Sequence, residues 1–411
     1  MTPPQLSPRV RWTIVGLLSS SIAINLIDRQ VLSVLAPLLR ESLNLTATQY
    51  AYIAASFQLG MMVGQVPMGA FIDRVGTRVG LASIFVAWSV IGGAHALAAG
   101  VVGFVVLRFL MGLAECGNYT AGVKAIAALF PSTYRSSAGG LFNAGAQLGS
   151  VIATPLVVLI ATTLGWRMAF LLPAAVGLLW LIPWLTLFPE KQAVTAAASG
   201  RAAGPHVRLV DLIRNRKVMG LFLIRAFSGP ITTFYWVWLP LYLRSERAMS
   251  YATIGMLGWL PNLVGMAGNI AGGFLTDRLV RVTGSPDRGR KLAFAGAFGL
   301  SALSMTMPLV GNNFMALGLM GLALFGNQWA AATYIGTVGD VVPPQLVGRV
   351  NGIAGFGDSA SVLLAQLAIG FLVDRYSFTP VFVGAGLFPI MALLSVLFVL
   401  RRIEPAGFRP V

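Results

Sequence analysis

Charged residues are scarce in this chain: Asp, Glu, Lys and Arg together fill 10% of its 411 positions. A soluble domain carries roughly 25% charged residues, so this chain lacks the side chains needed to cover a water-facing surface. Cysteine is nearly missing, because Cys116 is the only one. A single cysteine excludes an intrachain disulfide framework and any zinc or iron–sulfur site built from several cysteines. The sequence also has no nucleotide-binding loop and no metal-ligand cluster, so we predict no cofactor, no metal and no enzymatic activity.

Long hydrophobic runs take the place of charge. Apolar residues make up 56% of the chain, and the mean hydropathy is +0.79. A helix needs ~20 apolar residues to cross a bilayer, and the sequence predicts twelve such spans in an all-α integral membrane protein. In chain order, the predicted spans are Trp12–Leu39, Ala51–Ile72, Val79–Ala99, Val101–Leu129, Ser137–Leu164, Met168–Phe188, Val218–Leu243, Tyr251–Thr276, Leu292–Val310, Phe314–Val341, Val350–Val373 and Thr379–Leu400.

Basic residues predict the orientation of these spans. With the N-terminus in the cytoplasm, 21 of the 29 Lys and Arg residues lie at cytoplasmic loops or helix ends. Because Lys and Arg resist translocation, the side that holds most of them is the cytoplasmic one. We therefore expect a multi-pass protein of the cell (inner) membrane with both termini cytoplasmic. This topology and the surrounding lipid account for the net charge of +16 without a nucleic-acid partner.

The chain contains an internal repeat. Gly69–Arg74 follows the second span as Gly273–Arg278 follows the eighth, and Gly112–Asn118 matches Gly321–Asn327 at an offset of 209 positions. An offset of six helices preserves orientation, so the sequence predicts two six-helix bundles related as parallel repeats. That architecture is typical of alternating-access transporters with a site near mid-membrane. The predicted bundles are residues 1–189 and 218–411, joined by a cytoplasmic linker over 190–217.

Glycine spacing within the spans predicts close helix packing. Small residues four apart let helix backbones approach each other. Three pairs have this spacing: Gly60/Gly64, Gly145/Gly149 and Gly268/Gly272.

The repeated loop carries a family resemblance. Gly69–Arg78 resembles the signature between spans two and three of the major facilitator superfamily, and Asp277-Arg278 resembles its second-half copy. The resemblance extends over essentially the whole chain. It implies that the loop charges latch a cytoplasmic gate and do not select the substrate. The implied gating residues are Asp73, Arg74, Arg78, Asp277 and Arg278.

Further motifs resemble the anion:cation symporters, a group that includes hexuronate, galactonate and other organic-anion permeases. These motifs are Asn25–Arg29, Arg108–Glu115, Trp166–Phe170 and Arg225–Pro240. The chain departs from sugar-acid members at positions where they carry hydrogen-bonding side chains, namely Leu26, Met61, Ala146 and Gly229. A smaller or more apolar carboxylate therefore stands beside a sugar acid as the expected substrate.

Charges within the spans indicate where a solute binds. A charge at the bilayer centre costs ~2.5–3.5 kcal/mol on insertion scales, so intramembrane charges default to functional hypotheses. We expect Arg29 to anchor a substrate carboxylate, because its planar guanidinium offers two parallel donors. Glu115 and Asp28 are the candidate proton carriers. The alternatives are an inert ion pair of Arg29 with either acid and a structural role for Asp28.

Other polar groups in the spans have two interpretations. Six residues are candidate substrate contacts, and for each the favoured alternative is helix–helix packing or hydrogen bonding: Tyr235, Asn118, Asn327, Gln328, Gln147 and Thr333. Arg108, near the outer end of span four, is interpreted as a structural side chain that extends toward the membrane surface, with a functional role as the alternative. Arg225 and Asp358 have no assigned role, although Asp358 is a candidate partner for Arg225 in place of the acid missing at Gly229.

The leading functional hypothesis is proton-coupled uptake of a small organic anion by an alternating-access monomer, with sodium coupling left open. One alternative is a proton-coupled exporter of drugs or metabolites, although Gly149–Pro155 lacks the glycine–proline pattern common in span five of such exporters. Another is a non-transporting membrane sensor or enzyme, for which no soluble signalling domain is present.

Overall fold

The computed structural model describes residues 7–130, 132–188, 208–343 and 346–406, without the side chains of 66, 69, 70, 73, 127, 128 and 132–137. This part of the chain contains fourteen α-helices and no strand. In chain order they are α1 (Pro8–Leu43), α2 (Ala47–Val75), α3 (Thr77–Ala94), α4 (Val101–Leu129), α5 (Ser132–Leu164), α6 (Met168–Leu187), α7 (Leu209–Arg214), α8 (Arg216–Ser245), α9 (Tyr251–Leu257), α10 (Leu260–Thr283), α11 (Pro286–Ala302), α12 (Asn313–Val341), α13 (Val347–Arg375) and α14 (Thr379–Leu394).

Local sequence sets the ends of the first helix. The Ser7 side chain accepts a hydrogen bond from Val10 N, and Pro8 takes the first helical position, where a missing N–H costs nothing. At the other end, Asn44 adopts the left-handed conformation with φ of 50° and closes the helix on the Arg40 carbonyl. Between these caps the backbone is hydrogen-bonded within the helix, as a lipid environment requires, except that Pro37 has no N–H to donate.

Ten helices in the described residues are long and apolar enough to cross a membrane. They correspond to ten of the predicted spans. At the two remaining positions, α2 has 29 residues and α10 has 24. The all-α membrane architecture is confirmed, and the count of twelve spans stays a prediction.

The eighth predicted span is not one continuous helix. It was expected over Tyr251–Thr276, but α9 ends at Leu257 and α10 begins at Leu260. Pro261 explains the break, because proline has no N–H to donate to the Leu257 carbonyl and its ring clashes with that turn. The uninterrupted span was therefore a wrong prediction, and its proline is the signal that argued against it.

The chain divides into two compact units. Unit 1 comprises the described residues of Met1–Leu45, Tyr52–Ala202 and Met249–Trp259, and unit 2 those of Thr46–Ala51, Ala203–Ala248 and Leu260–Val411. Most of the predicted linker, residues 190–207, lies outside the described residues. Its last part is helical, since it contains α7 and the first residues of α8. The predicted bundle boundaries themselves stay a prediction.

Each unit is held together by packed helices with aromatic cores. In unit 1, α1 packs on α5 and α3 packs on α4 and α6, around the fully buried rings of Phe85, Trp88 and Trp184. In unit 2, α12 packs on α10 and α11, and α13 packs on α8, around Phe294 and Phe298.

The predicted glycine pairs lie at these helix crossings. A side-chain carbon at Gly145 would overlap the Ser19 carbonyl of α1, and one at Gly149 would meet the Ala23 carbonyl. Gly60 and Gly268 meet backbone of α4 and α12 in the same way, whereas the nearest atoms to Gly64 and Gly272 belong to side chains of those helices. The prediction of close helix packing at these pairs is confirmed. In lipid there is no hydrophobic driving force for helix association, so close packing of this kind stabilises it instead.

Gly145 provides a direct test of this packing. We expect Gly145→Ala to lower the thermal unfolding temperature of the purified protein, because overpacking a filled contact costs ~1–3 kcal/mol. Gly140→Ala on the same helix is the matched control, since a carbon there meets open space. Equal unfolding temperatures for the two variants would contradict the close α1–α5 contact.

Candidate functional site

An ion pair joins α1 and α4 inside unit 1. Arg29 Nε donates to Glu115 Oε2 at 2.6 Å. The Glu115 side chain is fully buried, whereas 28% of the Arg29 side chain is exposed. Glu115 Oε1 is buried and has no hydrogen-bond partner in the described part of the chain. The site thus combines a partly open guanidinium with a carboxylate that has one unused oxygen.

The guanidinium of Arg29 also rests on apolar groups of α2. Its central carbon lies 5.2 Å from the centroid of the Phe57 ring, and Nη2 lies 3.6 Å from Met61 Sδ. A cation over an aromatic face gains ~0.5–2 kcal/mol, more when water is excluded. Phe57 and Met61 therefore hold the Arg29 side chain in place without using all of its donors.

Asp28 has a different partner from its neighbour. Trp88 Nε1 on α3 donates to Asp28 Oδ2 at 2.9 Å, and Asp28 is 6% exposed. Adjacent residues of a helix point about 100° apart. As a result Asp28 is directed into the interior of unit 1, and the structure does not bring it to the guanidinium of Arg29.

Arg108 corrects one expectation. It was predicted to extend toward the membrane surface, but it is 3% exposed and its guanidinium lies 5.9 Å from the Phe57 ring centroid. Its charge acts on both Asp28 and Glu115. Burial beside two carboxylates explains the difference, because an arginine with nearby acids has no need to reach the headgroups. With Arg29, these charged residues form a cluster of two arginines and two acids whose formal charges cancel.

Several predicted substrate contacts have partners within their own unit. In unit 1, Asn118 accepts from Ser21 Oγ at 3.3 Å, and Gln147 is half-buried. In unit 2, Asn327 donates to Thr232 Oγ1 at 2.6 Å, and the Thr333 hydroxyl lies 2.8 Å from that of Thr276.

Tyr235 and Gln328 complete the set of predicted contacts. The Tyr235 hydroxyl lies 2.7 Å from Ser304 Oγ, and Tyr235 is 1% exposed. Gln328 is also buried. The hydroxyls of Tyr235 and Thr333 thus join helices of unit 2, which is the alternative that the sequence left open for them.

The predicted gating residues lie near helix ends. Arg74 is exposed on the last turn of α2, and Arg78 donates to the Leu185 carbonyl at the end of α6. The side chain of Asp73 lies outside the described residues. Asp277 and Arg278 are exposed on α10. Their role as a latch stays a prediction.

The structure brings together the two unassigned charges of unit 2. Arg225 Nη2 on α8 donates to Asp358 Oδ2 on α13 at 2.5 Å. This is the contact for which Asp358 was a candidate, and it makes one intramembrane ion pair in each unit.

Sequence inspection missed two polar links within unit 2. Asp374 accepts from the backbone of Ala47 at 2.7 Å and of Thr48 at 2.6 Å, across 327 and 326 positions of sequence. Arg290 pairs with Asp340 at 2.5 Å. Gly336 was a usable signal for the second link, because a side chain at 336 would overlap the Arg290 guanidinium.

Comparison with known proteins extends these findings. The family model of the Major Facilitator Superfamily matches residues 18–285 and 286–411. A hexuronate transporter of Bacillus subtilis (strain 168) is 32% identical and aligns over 93% of this chain and 94% of the relative. A hexuronate transporter of Escherichia coli (strain K12) is 30% identical, with 97% and 95% covered. A probable L-galactonate transporter of the same strain is 29% identical, with 96% and 90% covered.

Solved structures agree on the fold. A D-xylose-proton symporter superposes with a TM-score of 0.78 at 17% identity, over 96% of this chain and 98% of that one. A bacterial homolog to the human lysosomal transporter Spinster, in an inward-facing and occupied conformation, gives 0.76 at 15% identity over 96% of both chains. The curated relatives are transporters and not enzymes. With the family model matched from residue 18 to the end, this integral membrane protein belongs to the Major Facilitator Superfamily.

Proposed function

We propose that this protein takes up a small organic anion, a sugar acid or a smaller carboxylate, with protons and by alternating access. The observation that carries the proposal is the Arg29–Glu115 pair, which holds a partly exposed cation beside a fully buried acid within membrane-spanning helices. The hexuronate and galactonate transporters among its relatives support an acidic substrate. We further propose that it works as a monomer in the cell (inner) membrane with cytoplasmic termini.

Arg29 is suited to anchor a carboxylate. Its Nε is engaged by Glu115, but the exposed fraction of the side chain leaves donors for a ligand. Guanidinium–carboxylate bonds are charge-assisted and roughly twice as strong as neutral ones. A substrate carboxylate therefore competes with Glu115 for the same cation.

That competition links substrate to proton. A bound anion adds one negative charge to a cluster of Arg29, Arg108, Asp28 and Glu115 that is otherwise neutral. Protonation of Glu115 removes its charge and frees Arg29 for the substrate, so the cluster stays neutral when both bind. An accompanying proton also cancels the ~2.3 kcal/mol that each 100 mV of interior-negative potential sets against an entering anion.

Asp28 is the second candidate for the proton, with less support. Its Oδ2 accepts a hydrogen bond from Trp88 Nε1. Because Asp28 is buried away from Arg29, a substrate on Arg29 does not displace it. Glu115 is therefore the first choice as the proton carrier.

Replacing Arg29 tests the anchor. Arg29→Lys keeps the charge but loses the planar fork, so we expect D-glucuronate binding to weaken at least tenfold, ~1.4 kcal/mol. Thermal-shift titration measures this, because a ligand that binds the folded state raises its unfolding temperature. Arg40→Lys, at the end of the same helix, serves as the control. Unchanged binding and uptake in Arg29→Ala would refute the anchor.

Replacing Glu115 tests the coupling. Glu115→Gln keeps the shape of the protonated acid and cannot titrate, so counterflow exchange in proteoliposomes should persist. Accumulation driven by an imposed pH gradient should be lost, because a site that cannot titrate cannot transmit that gradient. Glu41→Gln, at the exposed end of α1, is the control. Normal gradient-driven accumulation by Glu115→Gln would move the role to another acid.

The gate makes a separate prediction. We expect Arg74→Ala to slow uptake and counterflow while equilibrium affinity changes little, because Arg74 lies about 20 Å along α2 from Met61, which contacts Arg29. Arg9→Ala, at the exposed start of α1, is the control. A large loss of affinity with normal turnover would place Arg74 at the binding site instead.

A further inference from the structure

The Arg225–Asp358 pair in unit 2 has features of a second binding site. Arg225 lies nine positions into α8 and Asp358 eleven positions into α13, about 13 and 16 Å along their helices at 1.5 Å per residue. Their side chains are 35% and 22% exposed. Charges exposed at such depth cost several kcal/mol against hydrocarbon. The open side of this pair therefore faces a polar route and not lipid.

The pair has unused hydrogen-bonding capacity. A guanidinium has five donors, and the hydrogen bond of this one runs from Nη2 to Asp358 Oδ2. Asp358 Oδ1 and the Tyr334 hydroxyl are both buried without a hydrogen-bond partner among the described residues. The Arg225 guanidinium lies 5.8 Å from the centroid of the Tyr334 ring. Arg225 from α8 and Tyr334 from α12 are the titratable groups that face Asp358 in the described residues.

Gly229 explains how the acid reaches the arginine. A side-chain carbon built at Gly229 would coincide with Asp358 Oδ1, so the carboxylate of α13 occupies the space that a side chain at 229 would take. Glycine inside a helix costs roughly 0.5–1 kcal/mol relative to alanine. Position 229 is also four residues after Arg225, the spacing at which side chains meet on one helix. An acid at 229 would pair with Arg225 within α8, whereas Asp358 pairs with it across two helices.

We propose that Arg225 is a second carboxylate-binding residue for the transported anion and that Asp358 is the competing internal ligand, which releases Arg225 on protonation. The proposal rests on the proposed function, since it assigns to unit 2 a binding residue for the same class of organic anion. When the substrate binds Arg225, the ion pair that joins α8 to α13 breaks. With an acid at 229 the ion pair would lie within α8, and no ion pair of Arg225 would join the two helices. Binding at this site thus changes how two helices of unit 2 are held together.

The sign of one mutational effect separates this proposal from a structural ion pair. In Asp358→Asn the competitor is gone, so D-glucuronate should bind more tightly at neutral pH and lose part of its pH dependence. The gain is about tenfold if about one-tenth of Arg225 is free in the wild type. Arg225→Gln should bind more weakly, and Arg225→Gln with Asp358→Asn should match Arg225→Gln alone. Asp211→Asn, an exposed acid on α7, should change nothing.

A second variant moves the acid from α13 to α8, so that an acid still pairs with Arg225 and the proposal can be tested even if Asp358→Asn does not fold. Asp358→Ala with Gly229→Asp returns the carboxylate to Arg225 from position 229, so wild-type pH dependence of glucuronate binding should be restored. Weaker or unchanged binding in Asp358→Asn at both acidic and neutral pH would overturn the proposal. If Arg29→Lys weakens binding while every change at 225 and 358 is silent, the second site fails and the proposed function stands. Failure of the wild-type protein to bind either glucuronate or any smaller carboxylate in the same assay would count against both.

Discussion

The cost of placing charge in a membrane governs how the polar residues of this protein are arranged. An unpaired charge at the bilayer centre is penalised by several kcal/mol, and each unit meets this by pairing an arginine with an acid from another helix. Arg29 bonds Glu115 across α1 and α4, and Arg225 bonds Asp358 across α8 and α13. In both pairs the arginine is the more exposed partner. In the proposed mechanism an anionic solute replaces the internal counter-ion of such a cation, so the pairs that the membrane requires are also the pairs that the solute exchanges.

The two halves share a scaffold and differ in chemistry. Asn118 on α4 bonds Ser21 on α1, and Asn327 on α12 bonds Ser228 and Thr232 on α8, so matching repeat positions join matching helices. The ion pairs do not follow this relation, because Arg29 takes its acid from α4 whereas Arg225 takes its acid from α13. The charges thus differ between the two units, whereas the helix contacts made by the two asparagines match.

Hydropathy and glycine spacing were sufficient to predict the helices and their closest crossings, because lipid imposes helix on every apolar span and only glycine admits backbone contact. The interruption at Gly258 followed from Pro261, which outweighed hydropathy locally. Side-chain direction was harder: whether Tyr235 faces a substrate or Ser304 depends on which helix packs beside it, and sequence alone does not specify that neighbour. Arg108 was misjudged for the same reason, since Asp28 from α1 and Phe57 from α2 lie near its guanidinium. The Arg225–Asp358 contact could be predicted from the sequence, because the acid expected at 229 is missing and an unexpected acid stands at 358.

The packing around Arg29 bears on which carboxylate this protein accepts. Of the positions where it departs from sugar-acid permeases, Leu26 is 5% exposed and offers a ligand almost no surface. Met61 is different, because its sulfur contacts the guanidinium directly. A thioether is polarisable and a weak acceptor, and it cannot donate a hydrogen bond to a sugar hydroxyl. We infer that, with a carboxylate bound at Arg29, the choice between a sugar acid and a more apolar acid depends on Met61 more than on Leu26, because Met61 borders the guanidinium and Leu26 is buried.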